Sequence, residues 1–275
     1  MNHLEKIIQR TEQRVETLKS TFSRENLQSN GKEYKKRKFV ENLHKSSEEQ
    51  RNSVVAEIKK ASPSKGIIRE DFDPIWTAKQ YEKGGAACLS ILTEPDFFLG
   101  SLDYLLEVRK ICHLPILRKD FIIDEIQILE SKAFGADCIL LIASILDKNK
   151  IKDFYQIAKE NELDVLIEVH DEKEAEIAMA VSPELLGINN RDLKTFDVDI
   201  NNSIKIKKML PKSQLIISES GIYSRDDIND LNEAKIYNFL VGEFFMRKKE
   251  PYKAVQDLIA LSLSLIHISE PTRRN

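Results

Sequence analysis

Eight short apolar runs rich in β-forming residues recur along the chain at a regular distance, and this repeat constrains the fold more than any other feature. Segments with helical periodicity separate them, as in Asp147–Asn161. Nearly continuous apolar strands that alternate with helices indicate a parallel sheet covered by helices. The predicted strands are Val54–Lys59, Cys88–Thr93, Pro115–Lys119, Cys138–Ile142, Val165–Val169, Leu185–Asn189, Leu215–Glu219 and Phe239–Val241.

Eight strand–helix units favour closure of the sheet, so the predicted fold class is α/β, a single (β/α)8 TIM barrel. A doubly wound open sheet is the alternative, but neither GxGxxG nor GxxxxGK[ST] follows any predicted strand. We predict that Gly84-Gly85, Gly135 and Asn161 end helices in the left-handed conformation. Predicted residues at helix N-termini are Asp73, Asp124, Asp147, Asp171 and Ser224.

The residues before the first predicted strand form an N-terminal helical extension, so we divide the chain into extension 1–53 and barrel 54–260. Such a helix could plug or flank the barrel, or it could form a lid over the active face, and its periodicity favours neither. Its apolar residues near one face are Leu4, Ile7, Ile8, Val15, Leu18 and Phe22.

Composition narrows the class of protein. The 275 residues are 41% hydrophobic and 32% charged, which is too apolar for a disordered chain and too charged for a membrane protein. A formal net charge of −3 argues against general electrostatic binding of nucleic acid. We interpret the basic cluster between Lys32 and Lys38 as a solvated face, and we expect neither a nucleic-acid partner nor a membrane partner.

The cysteine and histidine patterns predict no metal site. Three cysteines without CxxC spacing form neither a disulfide framework nor a zinc site, and Cys88 and Cys138 should be small buried hydrophobes. HExxH and GxSxG are absent. The first ten residues lack the apolar block of a signal peptide, so we expect a cytoplasmic protein.

Polar side chains stand at the carboxyl ends of the first, third, fifth, sixth and seventh predicted strands, where such barrels place their catalytic groups. Any one of them could instead form a structural ion pair, but their shared position favours a common site. A set of lysines and glutamates suits acid–base chemistry. His170 also follows a strand, and we expect it to face solvent. The strand-end residues are Glu57, Lys59, Lys119, Asp120, Glu168, Asn189, Glu219 and Ser220.

The loops after the seventh and eighth predicted strands favour a phosphate site, because these loops bind phosphate in many such barrels. They read Ser220-Gly221 and Gly242-Glu243. Glycine lets backbone N–H groups approach an anion closely. The Glu243 carboxylate is unfavourable beside phosphate unless it points away.

With these residues in view, the chain resembles the indole-3-glycerol-phosphate synthase family of tryptophan biosynthesis. Seven ordered motifs on successive strand–helix units carry the resemblance, which covers residues 1–260, including the N-terminal extension. The motifs are AEIKKASPSKG (Ala56–Gly66), LTEPDFFLGS (Leu92–Ser101), PILRKDFIID (Pro115–Asp124), LIEVH (Leu166–His170), GINNRDL (Gly187–Leu193), SESGI (Ser218–Ile222) and FLVGE (Phe239–Glu243).

This resemblance implies a carboxy-lyase. The family converts 1-(2-carboxyphenylamino)-1-deoxyribulose 5-phosphate to indole-3-glycerol phosphate, with release of CO2 and water and without a cofactor. Carried over by motif, Lys119 looks like the general acid of ring closure and Glu168 like its carboxylate partner in proton transfer. Lys59 would be a second cation that serves the substrate and a later acid step. Glu57 and Asn189 would orient the substrate hydroxyl groups and the lysines.

The same resemblance implies the substrate-binding residues. Phe121 and Leu140 would contact the aromatic ring. Glu243 occupies a position that varies within the family and would affect only the phosphate rim. The residues that would hold phosphate or that match other binding motifs are Ser62, Arg191, Ser220, Gly221 and Gly242.

Two other functions remain as alternatives. Phosphoribosylanthranilate isomerase should lack both the N-terminal extension and the lysine pair of AEIKKASPSKG. A non-catalytic scaffold should have lost at least one of Lys59, Lys119 and Glu168. We expect a phosphorylated small molecule as partner and a monomer or weak homodimer. The tail 261–275 is predicted to be foreign to the barrel or disordered, the alternative being a continuation of the last helix.

Overall fold

The structure, a computed structural model, describes residues 3–192 and 195–260. Eight parallel strands close into a barrel in the circular order β1, β4, β5, β6, β7, β8, β9, β10. The strands are β1 (Ser53–Ile58), β2 (Ala61–Ser62), β3 (Gly66–Ile67), β4 (Cys88–Leu92), β5 (Ile116–Lys119), β6 (Cys138–Ile142), β7 (Asp164–Val169), β8 (Leu185–Asn189), β9 (Leu215–Glu219) and β10 (Asn238–Val241).

Helices separate the barrel strands and precede the first of them. They are α1 (His3–Thr21), α2 (Arg24–Gly31), α3 (Phe39–Glu48), α4 (Pro74–Gly84), α5 (Leu102–Ile111), α6 (Glu125–Ala133), α7 (Lys148–Glu160), α8 (Glu172–Met179), α9 (Asn201–Met209), α10 (Arg225–Glu233), α11 (Glu243–Met246) and α12 (Pro251–Ala260). The predicted barrel with its N-terminal helical extension is therefore confirmed. The strand boundaries agree within one residue; the β2–β3 antiparallel pair was not predicted.

The barrel strands are buried on both faces because alternate side chains enter two different cores. In β1, Val54 and Ala56 pack in the layer between the strands and the helices. Val55 instead belongs to the cluster that fills the barrel, together with Leu240 and Leu166. Burial of each large aliphatic side chain stabilises the fold by about 1.5–3 kcal/mol. This double burial explains why the strands read as continuous apolar runs.

The extension supplies both a plug and a cover, from different helices. Phe39 and Leu43 of α3 are fully buried among the inward-facing side chains of the barrel. Val15 and Leu18 of α1 pack with residues of α2 and α6, and the first turns of α1 reach the opposite, carboxyl end of the barrel. The prediction was wrong for Phe22, which is 40% exposed because α1 ends at Thr21.

Helix ends follow the predicted capping residues except at Gly84, which is the last residue of α4 and is not left-handed, and at Asn161. All five predicted N-cap side chains accept a hydrogen bond from a backbone N–H of the first turn. Gly85 and Gly135 have φ values of +86° and +85°. Asn161 is not left-handed: its φ is −95°, and its N–H still bonds into α7. Glu162 takes the left-handed position with φ +56°.

The basic cluster is only partly a solvated face. Lys36 pairs with Asp164 at 2.6 Å, and the Arg37 guanidinium donates to the carbonyls of Arg109, Cys112 and Leu114. Carbonyls at a helix C-terminus lack partners within the helix, so an arginine there is structural. The prediction of a solvated face was wrong for these two residues, whereas Lys32, Lys35 and Lys38 are exposed.

All three cysteines are buried and free, as predicted for Cys88 and Cys138. Burial raises the pKa of the Cys88 and Cys138 thiols well above the ordinary value. No helix among the described residues is long and apolar enough to cross a membrane. The prediction for the tail 261–275 falls outside the described residues.

Candidate active site

A cavity of about 190 Å³ opens at the carboxyl end of the barrel. All thirteen residues that the sequence analysis assigned to catalysis or binding lie on its wall. They are Glu57, Lys59, Ser62, Lys119, Phe121, Leu140, Glu168, Asn189, Arg191, Ser220, Gly221, Gly242 and Glu243. The strand ends therefore bring together residues that lie up to 186 positions apart, from Glu57 to Glu243.

Lys119 lies at the centre of the charged part of the cavity. Its ammonium donates to Glu168 Oε2 at 2.9 Å and to Glu219 Oε2 at 2.5 Å. Burial lowers the pKa of Lys119, but the carboxylates of Glu168, Glu219 and Glu57 outweigh it and raise that pKa above its ordinary value. Lys119 is consequently protonated at neutral pH. The carboxylate neighbours, and not crowding by cations, decide its charge.

Glu168 and Glu219 have opposite pKa shifts although they share the same cation. Burial raises the pKa of Glu168, yet Lys119 and His170 overcome that effect and lower it to about 2. Burial raises the pKa of Glu219 to about 8, helped by the like charge of Glu168. His170 faces Glu168, so Glu168 is the carboxylate that stays ionised. The pair thus combines a charged base with a neutral acid at pH 7.

Glu57 and Lys59 form a second ion pair at the end of β1, with 2.5 Å between Lys59 Nζ and Glu57 Oε1. Gly242 makes room for this carboxylate, since a Cβ on Gly242 would lie 2.5 Å from Glu57 Oε1. The glycine at the end of β10 is therefore required by the close approach of Glu57. Gly242 was predicted from the sequence to let backbone N–H groups approach an anion. The contact with Glu57 adds a steric reason for glycine at this position.

The loop after β9 has an unusual backbone. Ser220 and Gly221 have φ values of +65° and +79°, and Asn190 Nδ2 holds the Ser220 carbonyl at 3.0 Å. Within the described ranges, the backbone N–H groups of Gly221, Gly242 and Glu243 have no acceptor in the protein. Free N–H groups on neighbouring loops are what an anion site requires.

The carboxylate of Glu243 is neutralised within its own helix. Arg247, one turn further along the chain, donates from Nε to Glu243 Oε1 at 3.0 Å, and its Nη2 lies 2.9 Å from the same oxygen. The carboxylate that looked unfavourable beside phosphate thus carries its own counterion. Its backbone N–H stays available to the cavity.

Apolar side chains cover the other side of the cavity. Phe121 lies beside Phe98, with 6.2 Å between the ring centroids. Leu140 of β6 and Leu4 and Ile7 of α1 also line the cavity. These apolar side chains offer a surface that suits an aromatic ring.

Asn189 and Arg191 are held at the end of β8. Asn189 Oδ1 accepts from the backbone N–H of Arg191 at 3.1 Å, and Arg191 Nη1 donates to the Phe196 carbonyl at 3.1 Å. Phe196 lines the cavity and contacts the ring of His3, with 5.7 Å between the ring centroids. The loop after β8 and the first turn of α1 therefore meet over the opening.

Three residues have surroundings or roles that were not predicted from the sequence. Glu219 was noted at a strand end but given no role, and Gly187 is the signal that could have revealed it: a Cβ there would overlap Glu219 Oε1. Asp120 borders the cavity, but its Oδ2 is bound by Arg118 and Thr93, so it is largely structural. His170 does not face solvent: its side chain is 11% exposed and lies between Glu168 and Glu174.

A sequence model of the indole-3-glycerol phosphate synthase family matches residues 4–258. The chain belongs to this family. The indole-3-glycerol phosphate synthase of Acinetobacter baumannii is 53% identical over 205 residues, which cover 74% of this chain and 76% of that protein. The indole-3-glycerol phosphate synthase of Delftia acidovorans is 51% identical over 212 residues, covering 75% of this chain and 79% of that protein.

Solved structures of other proteins share the fold. The 3-hexulose-6-phosphate synthase of Salmonella typhimurium superposes with a TM-score of 0.60 at 15% identity, covering 77% of this chain and 98% of that one. At that identity the likeness concerns the fold alone. The sequence matches show that the chain belongs to the synthase family. The barrel fold is supported by the sequence matches and by the similarity to solved structures.

Proposed function

We propose that this cavity closes the indole ring of indole-3-glycerol phosphate from 1-(2-carboxyphenylamino)-1-deoxyribulose 5-phosphate, the reaction of the synthase family to which the chain belongs. The observation that carries the proposal is Lys119, a buried ammonium between Glu168 and Glu219 at the end of the barrel where the phosphate loops also lie. An acid and a base at one point are what the reaction requires.

The substrate carries a phosphate, an aromatic ring and a carbonyl, and the cavity offers a different region for each. The free N–H groups of Gly221, Gly242 and Glu243 suit the phosphate. Phe121 and Leu140 suit the ring. With both ends held in this way, the carbonyl lies in the charged centre near Lys119 and Lys59. Holding the reacting carbon atoms close to each other accounts for a large part of such a rate enhancement.

Proton transfers follow from the charges. Lys119 donates a proton to the carbonyl oxygen as the ring carbon attacks, and the nitrogen becomes an iminium that accepts the electron pair released with CO2. Lys59 supplies a second proton, so that the oxygen leaves as water. Glu168, the ionised carboxylate, takes one proton from the methylene carbon beside the nitrogen. Two protons enter, one returns, and the reaction consumes one proton overall.

The test is a fluorescence assay for the indole product with the purified protein and Lys119→Met. We expect the wild-type protein to produce indole fluorescence and Lys119→Met to lose about 10²–10⁴-fold in kcat, as is usual when a general acid is removed. Lys60→Met, whose side chain does not line the cavity, is the matched control and should keep kcat. Retention of kcat within about threefold by Lys119→Met, less than 1 kcal/mol of barrier, would contradict the assignment.

A further inference from the structure

The imidazole of His170, directly after β7, lies between two carboxylates. Its Nδ1 is 3.0 Å from Glu174 Oε2 on α8, and its Nε2 is 3.4 Å from Glu168 Oε1. Glu168 lines the cavity, whereas His170 does not. His170 is therefore placed to act on the substrate only through Glu168.

The position of the ring is fixed from two helices. Glu174 Oε2 also accepts from the backbone N–H of His170 at 2.8 Å, and Asp171 caps the helix that carries Glu174. From α9, Asn202 Nδ2 donates to the His170 carbonyl at 3.0 Å. These contacts hold the imidazole in one orientation behind Glu168.

The charge of the ring follows from its surroundings. Nδ1 faces a carboxylate and so carries a proton, whereas Nε2 is buried and, in the part of the chain that the structure describes, has no hydrogen-bond partner. A neutral ring would turn the Nε2 lone pair towards the Glu168 carboxylate, which is repulsive; a protonated ring turns an N–H towards it. The ionisable groups facing His170 are Glu168 on β7, Glu174 on α8 and Glu219 on β9, all carboxyl groups.

We propose that His170 is a positioning residue that, held by Glu174, keeps Glu168 oriented and ionised while Lys119 serves the substrate. In the free protein Glu168 has two cationic neighbours, Lys119 at Oε2 and His170 at Oε1. When the substrate carbonyl draws the Lys119 ammonium away, only His170 remains beside Glu168. Without it, the buried Glu168 would take up a proton and lose its capacity as a base. This inference rests on the proposed function.

The test compares two substitutions that separate the roles of the ring nitrogens. His170→Asn places an amide near the position of Nδ1 and leaves Glu168 with Lys119 at Oε2 but without a cation at Oε1. His170→Gln reaches the position of Nε2 but carries no charge. We expect His170→Asn to lower kcat about tenfold with KM changed less than about twofold, in the range of coupling between neighbouring residues. The acid limb of its kcat profile should move to higher pH, because Glu168 has lost a cation. His170→Gln should recover part of kcat but not the position of the acid limb.

Two further measurements separate positioning from a merely structural role. In a Glu168→Gln background, His170→Asn should cause no additional loss of kcat, because the residue through which it acts is already removed. NMR titration of the His170 ring nitrogens should show a lower imidazole pKa in Glu168→Gln than in wild type. Glu176→Gln, an exposed carboxylate on the same helix as Glu174, is the control and should change neither.

An unchanged kcat and acid limb in His170→Asn would overturn the inference, as would a loss that adds to that of Glu168→Gln. A lowered melting temperature with an unmoved acid limb would also overturn it, in favour of a structural histidine. If the wild-type protein produced no indole fluorescence, the proposed function would be overturned. The role of His170 as a positioning residue would be overturned with it. The ring titration separates the two cases, because it reports on the His170–Glu168 pair without turnover.

Discussion

Arg14 on α1 reaches Glu94 after β4, with 3.1 Å between Arg14 Nη1 and Glu94 Oε1. Glu94 is fully buried and also accepts from the backbone N–H groups of Asp96, Phe97 and Phe98. Glu94 thus shapes the loop that carries Phe98 into the cavity wall, and Arg14 attaches the covering helix to that loop through Glu94 and through Asp96, whose Oδ2 lies 2.6 Å from Arg14 Nη1. Closure of the cavity and the form of its aromatic wall are therefore connected.

We expect Arg14→Met to weaken substrate binding more than turnover. Losing an ion pair with one partly exposed partner costs about 1 kcal/mol, which corresponds to about a fivefold rise in KM. The kcat value should change little, since Arg14 does not line the cavity that contains Lys119 and Glu168. Steady-state kinetics check this, with Arg10→Met as control, because Arg10 on the same helix bonds, among the described residues, only to the exposed Gln13. Equal effects of both substitutions would argue against the link through Glu94.

Replacement of Lys119 and replacement of Lys59 should change different kinetic parameters. Lys119→Met should lower kcat with little change in affinity for a phosphate-bearing substrate analogue. Lys59→Met should also impair turnover, but with a larger share of the loss in KM if Lys59 mainly holds an anionic group of the substrate. The measurement is kcat and kcat/KM for both variants. If Lys59→Met shows the larger loss in kcat, Lys59 becomes the leading candidate for the acid of ring closure.

Glu219 should make stability fall with rising pH. Its pKa is about 8 in the folded protein against an ordinary 4.5, so its contribution is complete below pH 4.5 and is lost as pH rises through 8. Glu168, with a pKa of about 2, contributes above pH 4.5 and loses its effect only in acid. Between these limits Glu219 is the group of the pair that titrates.

Glu219→Gln imitates the protonated carboxyl group and should remove this dependence. From about pH 5 to about pH 8, its free energy of unfolding should rise relative to wild type by on the order of 3 kcal/mol. Urea denaturation across this range measures the difference. The exposed Glu176→Gln serves as control and should run parallel to wild type. A constant difference between Glu219→Gln and wild type would show that Glu219 is ionised throughout.

We expect Arg247 to affect substrate binding through its ion pair with Glu243. Arg247→Ala leaves the Glu243 carboxylate beside the phosphate loops without its counterion, and we expect KM to rise about threefold for a pair that is partly exposed. The double variant Arg247→Ala/Glu243→Gln should restore KM, because both charges are gone. The effect on the single variant should shrink with added salt. A double variant as impaired as Arg247→Ala would mean that Arg247 itself contacts the substrate.

Much of this site could be predicted because its residues break a local pattern. Lys119 and Glu168 are charged residues at the ends of apolar strands, and such departures are visible in the sequence without knowledge of the neighbours. The surroundings of His170 could not be predicted, since its environment depends on how α8 and β9 pack around it. Arg37 was misjudged for the same reason: its acceptors lie on α5 and the loop after it, more than seventy residues further along the chain.

The plug formed by α3 has a consequence for the order of events in turnover. Phe39 and Leu43 fill the lower end, and Leu166 and Leu240 pack in the same interior cluster, so the residues that the structure describes leave no passage through the barrel. Substrate must enter through the mouth of the cavity at the carboxyl end of the barrel, which the first turns of α1 border. CO2, water and the phosphorylated product must leave through the same mouth. Substrate entry and product release therefore share one mouth, and the product must leave before the next substrate can bind.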